Sequence, residues 1–131
     1  MPAPLFIKYK LMIKFLEKSM EERIQNLYQK LRDISALYLI YRMQNNVEQV
    51  KKIIPEIQEF VLWFLDGNRF GIEEGLYQGM CQNVIVILDD ILQAMKQEDI
   101  VLLHDAVAYG LMEYLQLFVE EEQEEGTDDS L

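Results

Sequence analysis

The chain has one cysteine, Cys81, and one histidine, His104, in 131 residues. A lone cysteine excludes an internal disulfide and a thiolate metal cluster. It fits a reducing, cytoplasmic setting. A lone histidine, with Val101 three residues before it, excludes the paired E-x-x-H motifs of carboxylate-bridged di-iron bundles. No stretch approaches the ~18 uncharged apolar residues of a membrane span. The apolar start Leu5-Phe6-Ile7 is interrupted by Lys8, Lys10 and Lys14, and no small-residue cleavage site follows. A secretory signal is therefore not expected. Alternating apolar and polar runs are missing, so there is no strand signal, and no internal repeat is present. Basic residues become scarce after Lys52. Residues 53–131 hold only Arg69 and Lys96 against eighteen acids. Such a half would repel phosphate, so no nucleic-acid partner is expected.

What is present describes a folded domain. Half of the residues are hydrophobic, 11% are aromatic and 27% are charged, unlike a disordered chain. A chain of this length buries roughly two-thirds of its unfolded surface and needs no metal or disulfide to stand. The first 52 residues carry ten of the twelve bases against five acids, on a chain of net charge −11. The two halves therefore attract each other, within one chain or between copies.

Helical spacing dominates. Leu5, Tyr9, Met12, Leu16, Met20, Ile24, Leu27, Leu31, Ile34, Tyr38 and Tyr41 follow one another by threes and fours and form one broad stripe. Ser19 and Glu22 make a capping pattern that could break this helix, and Met20 would itself serve as a start. Residues 5–18 are read as a basic amphipathic leader, residues 20–119 as the body and residues 120–131 as a tail. The tail holds seven acids and no base and is expected to be disordered. Asn45 or Asn46 should cap a second helix with the stripe Val47, Val50, Ile54, Ile57, Val61, Phe64 and Leu65, kinked at Pro55. Gly67 should end it. A third stripe runs Leu76, Met80, Val84, Ile87, Ile91 and Met95. Asp99 should cap a fourth helix with the stripe Leu103, Val107, Gly110, Tyr114 and Leu117, with Leu111 and Phe118 beside it. Short connections place neighbours antiparallel, so the expected fold is an all-α, up-and-down four-helix bundle in a single domain.

The chemical candidates are incomplete. Asp66, Asn68 and Gly71 match three positions of a calcium loop, but Phe70 and Tyr77 stand where two ligands are required. Glu56 and Glu59 form an E-x-x-E pair like half of the magnesium site in all-α nucleotide pyrophosphatases, with no later E-x-x-D. A metal-dependent nucleotide hydrolase is thus the rival reading, and a solvated helix face the simpler one. His104 reads as a partly exposed residue of the fourth helix. Cys81 reads as a small packed side chain among acids. No cofactor and no metal are expected.

Two features point to partners. Gly71, Gly75 and Gly79 recur every four residues, where each helical glycine costs ~1 kcal/mol relative to alanine. Gly75 and Gly79 mark either a groove for a partner helix or close packing inside the bundle. The leader sets Lys10, Lys14 and Lys18 opposite Leu5, Tyr9, Met12 and Leu16. Such a helix suits docking on an acidic bundle or attachment to a membrane surface, and the net charge of −11 disfavours the membrane.

The segment Asp99-Ile100-Val101-Leu102-Leu103-His104-Asp105-Ala106-Val107-Ala108-Tyr109-Gly110-Leu111 resembles the last helix of small bacterial all-helical proteins grouped as a domain of unknown function. In that family a D-x-V-L-L-x-D-x-x-x-Y-x-L pattern opens the last helix, after a helix like Val84–Met95. The resemblance covers residues 21–119, omits the leader, and implies no activity or functional residue. In size, acidity and helix count the chain also looks like flagellar export chaperones, a likeness of architecture alone. The expectation is a cytoplasmic, non-enzymatic, adaptor- or chaperone-like bundle. It would bind a protein partner or form a homodimer through Leu5, Tyr9, Met12, Leu16, Gly75 and Gly79.

Overall fold

The first apolar stripe folds into one uninterrupted helix, α1 (Leu5–Tyr41). The computed structural model describes residues 5–119, with side chains from Ser19 onward. The side chains of Leu5, Tyr9, Met12 and Leu16, and the whole acidic tail, lie outside the described residues. Ser19 does not break α1; beyond it Met20, Ile24, Leu27 and Leu31 carry the stripe into the core. The helix stops where Arg42 takes a left-handed φ of 59°. The Met43 amide then reaches back to the Leu37 carbonyl at 3.1 Å, a wider closure than the usual one, and serves one of the last open carbonyls of the helix.

The expected second helix is two. α2 (Asn46–Lys52) and α3 (Ile54–Leu65) meet at Ile53, whose φ of −113° is not helical. Pro55 falls in the first turn of α3, where its missing N–H has no carbonyl to serve. The helix therefore breaks before the proline instead of kinking at it, and Ile53 turns inward with Val50 and Ile57. α4 (Glu74–Gln97) follows a turn through Gly71, at φ +75°. Glu98, left-handed at φ 55°, ends α4, and the Asp99 carboxylate accepts the Leu102 amide at 3.0 Å to open the last rod.

That rod runs without a gap through α5 (Ile100–Ala106), a π-helical turn (Val107–Leu111) and α6 (Met112–Gln116). The π turn takes in one residue more than an α turn. The buried set is accordingly Leu103, Val107, Leu111 and Leu115, and Leu117 is left exposed. The stripe expected through Gly110, Tyr114 and Leu117 is displaced by this extra residue.

The rods are held in register by named contacts. Arg23 pairs with Glu59 and Lys30 with Glu56, so α1 and α3 run antiparallel. Gln116 donates to the Tyr28 hydroxyl, and Tyr38 stacks near His104, so α1 and the last rod are antiparallel too. Asn83 donates to the Tyr114 hydroxyl at 2.8 Å between α4 and α6. One end of the core is aromatic: Phe64 lies parallel to Phe70 at 5.3 Å, and Phe118 meets Trp63 edge-on at 5.2 Å. Arg69 lies over the Trp63 ring at 5.2 Å, capping that end with a cation–π contact.

Candidate interaction surface

α4 is anchored firmly along its inner face. Glu73 stands just before it, and its carboxylate accepts the amides of Gly75 and Leu76 at 3.0 and 2.9 Å. Those two donors favour the ionised form and hold its pKa below the ordinary 4.5. Inside, Tyr77, Val84, Ile87, Ile91 and Ala94 are buried. The Tyr77 hydroxyl donates to the Phe64 carbonyl at 2.6 Å. Burial, with the neighbouring Cys81 thiol adding to it, pushes the Tyr77 hydroxyl up to about 12. The π turn comes close enough that a Cβ on Gly110 would stand 3.1 Å from Ile87.

The outer face of α4 is unusual. From Gly75 to Leu88 there is no charged residue, yet Gly75, Leu76, Gln78, Gly79, Gln82, Asn83, Ile85 and Val86 are all exposed. Leu76 is 60% exposed, Ile85 52% and Val86 54%. At 3.6 residues per turn, Gly75, Gly79, Gln82 and Val86 share a strip about 60° wide. Leu76 was expected inside; Tyr77 takes that place because its ring joins the aromatic end of the core. Gly75 and Gly79 do come together, on this exposed strip. Among the described residues nothing packs against Gly79, and only Glu73 approaches Gly75. A Cβ on Gly79 would meet nothing within 4 Å, and one on Gly75 would touch only the Glu73 carboxylate at 3.3 Å.

A second site is internal. His104 is buried, against the expectation of partial exposure, because Tyr38 covers it at 4.7 Å and Tyr109 of the π turn meets it edge-on at 5.8 Å. Asn46 is buried beside it and donates to the Ile100 carbonyl at 3.0 Å. It therefore pins α2 to α5, and no side chain caps α2. Asn46 Oδ1 and His104 Nε2 have no hydrogen-bond partner among the described residues. Both residues line a cavity of about 10 Å³, the size of a single water site. A larger surface depression of about 480 Å³ lies above α2 and the end of α4, with Val47, Leu92, Met95 and Ile100 below and Lys51 and Lys96 among its polar lining.

The remaining motifs have structural partners. Glu56 and Glu59 are engaged by Lys30 and Arg23 of α1. In the loop after α3, Asp66 is paired with Arg69 at 2.7 Å, and the Asn68 amide is directed to the Ile72 carbonyl and to Glu74. Cys81 is half-buried on α4. Among the described residues no group of three histidine, cysteine or carboxylate side chains could hold a metal ion. No described helix is long and apolar enough to cross a membrane.

No protein-family model, curated protein or solved structure matches the chain. The geometry of α4 therefore stands alone. Its signal was present in the sequence as a fourteen-residue run without charge. Such a run reads as a buried helix until its outward orientation is known.

Proposed function

We propose that this chain is a non-enzymatic helical interaction module, adaptor- or chaperone-like, that binds a protein partner through the outer face of α4. Its frame would be an up-and-down bundle of four rods: α1, α2 with α3, α4, and the rod from Ile100 to Gln116. A basic extension of α1 and an acidic tail would complete it. The observation that carries the reading is the exposed, charge-free face between Gly75 and Leu88, with Leu76, Ile85 and Val86 in water. Interface centres are depleted of charge, whereas ordinary solvent faces of helices are rich in it. Val86 stands on the glycine strip itself, and Leu76 and Ile85 flank it on opposite sides, each about 90° from its midline. Exposed aliphatic side chains without charge between them mark a surface suited to a partner. The nucleotide-hydrolase alternative rests on Glu56 and Glu59, whose carboxylates already serve Arg23 and Lys30.

A photo-crosslinking amino acid placed at Val86, and separately at Gln29 on the charged face of α1, tests this in cells. A protein adduct from Val86 and none from Gln29 is the expected result. Absence of any adduct from Val86 overturns the reading.

A further inference from the structure

We propose that the outer face of α4 is a self-association surface. A second copy of this chain packs its own α4 there, antiparallel, about a two-fold axis. The inference rests on the reading of that face as an interaction surface and names its occupant.

A two-fold contact uses one patch twice, so the patch must fit itself. Val86 stands seven residues after Gly79, two turns along the same strip. It projects from the helix, with 54% of its surface in water. Gly79 offers a gap, since a Cβ there would find nothing within 4 Å. In an antiparallel pair centred between Gln82 and Asn83, each Val86 enters the gap at the partner's Gly79. Both gaps are filled by one operation. In a parallel pair Val86 would oppose the partner's Val86 and glycine would oppose glycine, crowding one end and leaving the other open.

Charge leaves room for the same occupant at this stretch. At net −11 two copies repel each other. The stretch from Gly75 to Leu88 is a zone where they can touch without opposing like charges directly. A basic partner would be met by carboxylates on this face, and there are none within the stretch. Glu73 and Glu74 precede it, and Asp89 and Asp90 follow it. The antiparallel pair brings the first two toward the partner's Asp89 and Asp90, at a solvated rim. Apolar contact holds the pair and rim repulsion opposes it, so added salt should tighten it. A dimer made by the basic leader on an acidic surface would loosen in salt.

Sedimentation equilibrium of the full-length protein supplies the test. A dimer is expected, with a dissociation constant that falls by about 3- to 10-fold as salt rises from about 50 to about 500 mM, because the screening length shrinks below ~5 Å. Val86→Asp should raise the constant by about 100-fold by burying unpaired carboxylates, while Gln29→Asp leaves it unchanged. Circular dichroism of each variant checks that the monomer is folded. In a Cys81→Ala background, Gly79→Cys mixed with Val86→Cys should form an intermolecular disulfide, and neither should link to itself. A dimer that survives Val86→Asp, weakens in salt, or links Gly79→Cys to itself overturns the proposal. A purified monomer whose Val86 crosslinks to a different protein in cells overturns the pairing and leaves the interaction reading intact. A monomer with no adduct at all overturns both.

Discussion

The middle of α1 and the first half of α4 both lie on the surface of the protein, and their outer faces follow opposite rules. Among the described side chains, α1 exposes apolar ones only at its far end, Leu39, Ile40 and Tyr41. Between Glu21 and Asp33, α1 exposes Glu21, Glu22, Arg23, Gln25, Asn26, Gln29, Lys30, Arg32 and Asp33, all of them polar. Between Gly75 and Val86, α4 exposes two glycines, three aliphatic side chains and three amides. Their inner faces are alike: Leu31 and Ile91 are both fully buried. Each helix therefore folds by the same burial, and the difference outside is not a requirement of folding. Charges on α1 keep water on that face. Their absence on α4 lowers the cost of removing water from that one.

The sharpest way to show that the contrast lies outside is to cut both helices inside. Leu31→Ala and Ile91→Ala should each destabilise the fold by ~2–5 kcal/mol, because each leaves a cavity in a closed core. Urea unfolding checks this, and a cost below ~1 kcal/mol at either site would mean that helix is seated more loosely than its burial implies.

The glycines of the two rods that touch give the next effect, with opposite signs. Gly110→Leu should cost ~1–3 kcal/mol, because the added atoms must displace Ile87, 3.1 Å from the new Cβ. Gly79→Ala, studied below the concentration of any self-association, should stabilise by up to ~1 kcal/mol through helix propensity alone. A destabilising Gly79→Ala would show that something in the monomer packs on that strip.

Acid separates the two helices further. The lowered pKa of Glu73 means that its contribution to α4 is complete above 4.5 and is lost as pH falls through the lowered value. Glu73→Gln should therefore reduce stability at neutral pH and make the acid side of the pH–stability curve shallower. A curve parallel to that of the parent would count against the cap. The base side belongs to Tyr77. Its hydroxyl titrates at about 12 in the fold against 10.0 ordinarily, so stability should fall as pH rises through that window. Tyr77→Phe should remove that part of the fall.

The smallest effect belongs to the charged face itself. Lys30→Gln removes an exposed ion pair with Glu56 and should cost ~0–1 kcal/mol, less in high salt. A larger loss would mean that the α1–α3 seam depends on charge more than on Ile24, Leu27 and Phe60.

The helical class was legible because apolar periodicity survives in any helix that packs. Asp99 as a cap was legible for the same local reason. What failed was phase. No local signal marks the π turn, so Leu111 stood only beside the expected stripe, and Leu115 was left out of it in favour of Leu117. Tyr77 and Leu76 are neighbours of similar bulk, and only the aromatic company of Phe64 and Phe70 decides which one turns inward. His104 was misjudged because its cover, Tyr38, lies 66 positions earlier in the chain. Gly75 and Gly79 were singled out for the right helix, but their spacing could not say which side of α4 they occupy.

The π turn also bears on how the length of this chain could change. An ordinary helix tolerates no single-residue deletion, because everything beyond it rotates by about 100°. Here the five residues from Val107 to Leu111 hold one residue in surplus. Deleting Ala108 would let that stretch relax into α geometry. Leu103 and Val107 on one side, and the residues now at 111 and 115 on the other, would keep facing the core at the spacing of an uninterrupted helix. The last rod thus carries its own slack, and it is a place where a reading-frame-preserving loss of three nucleotides leaves the packing of both flanks in phase.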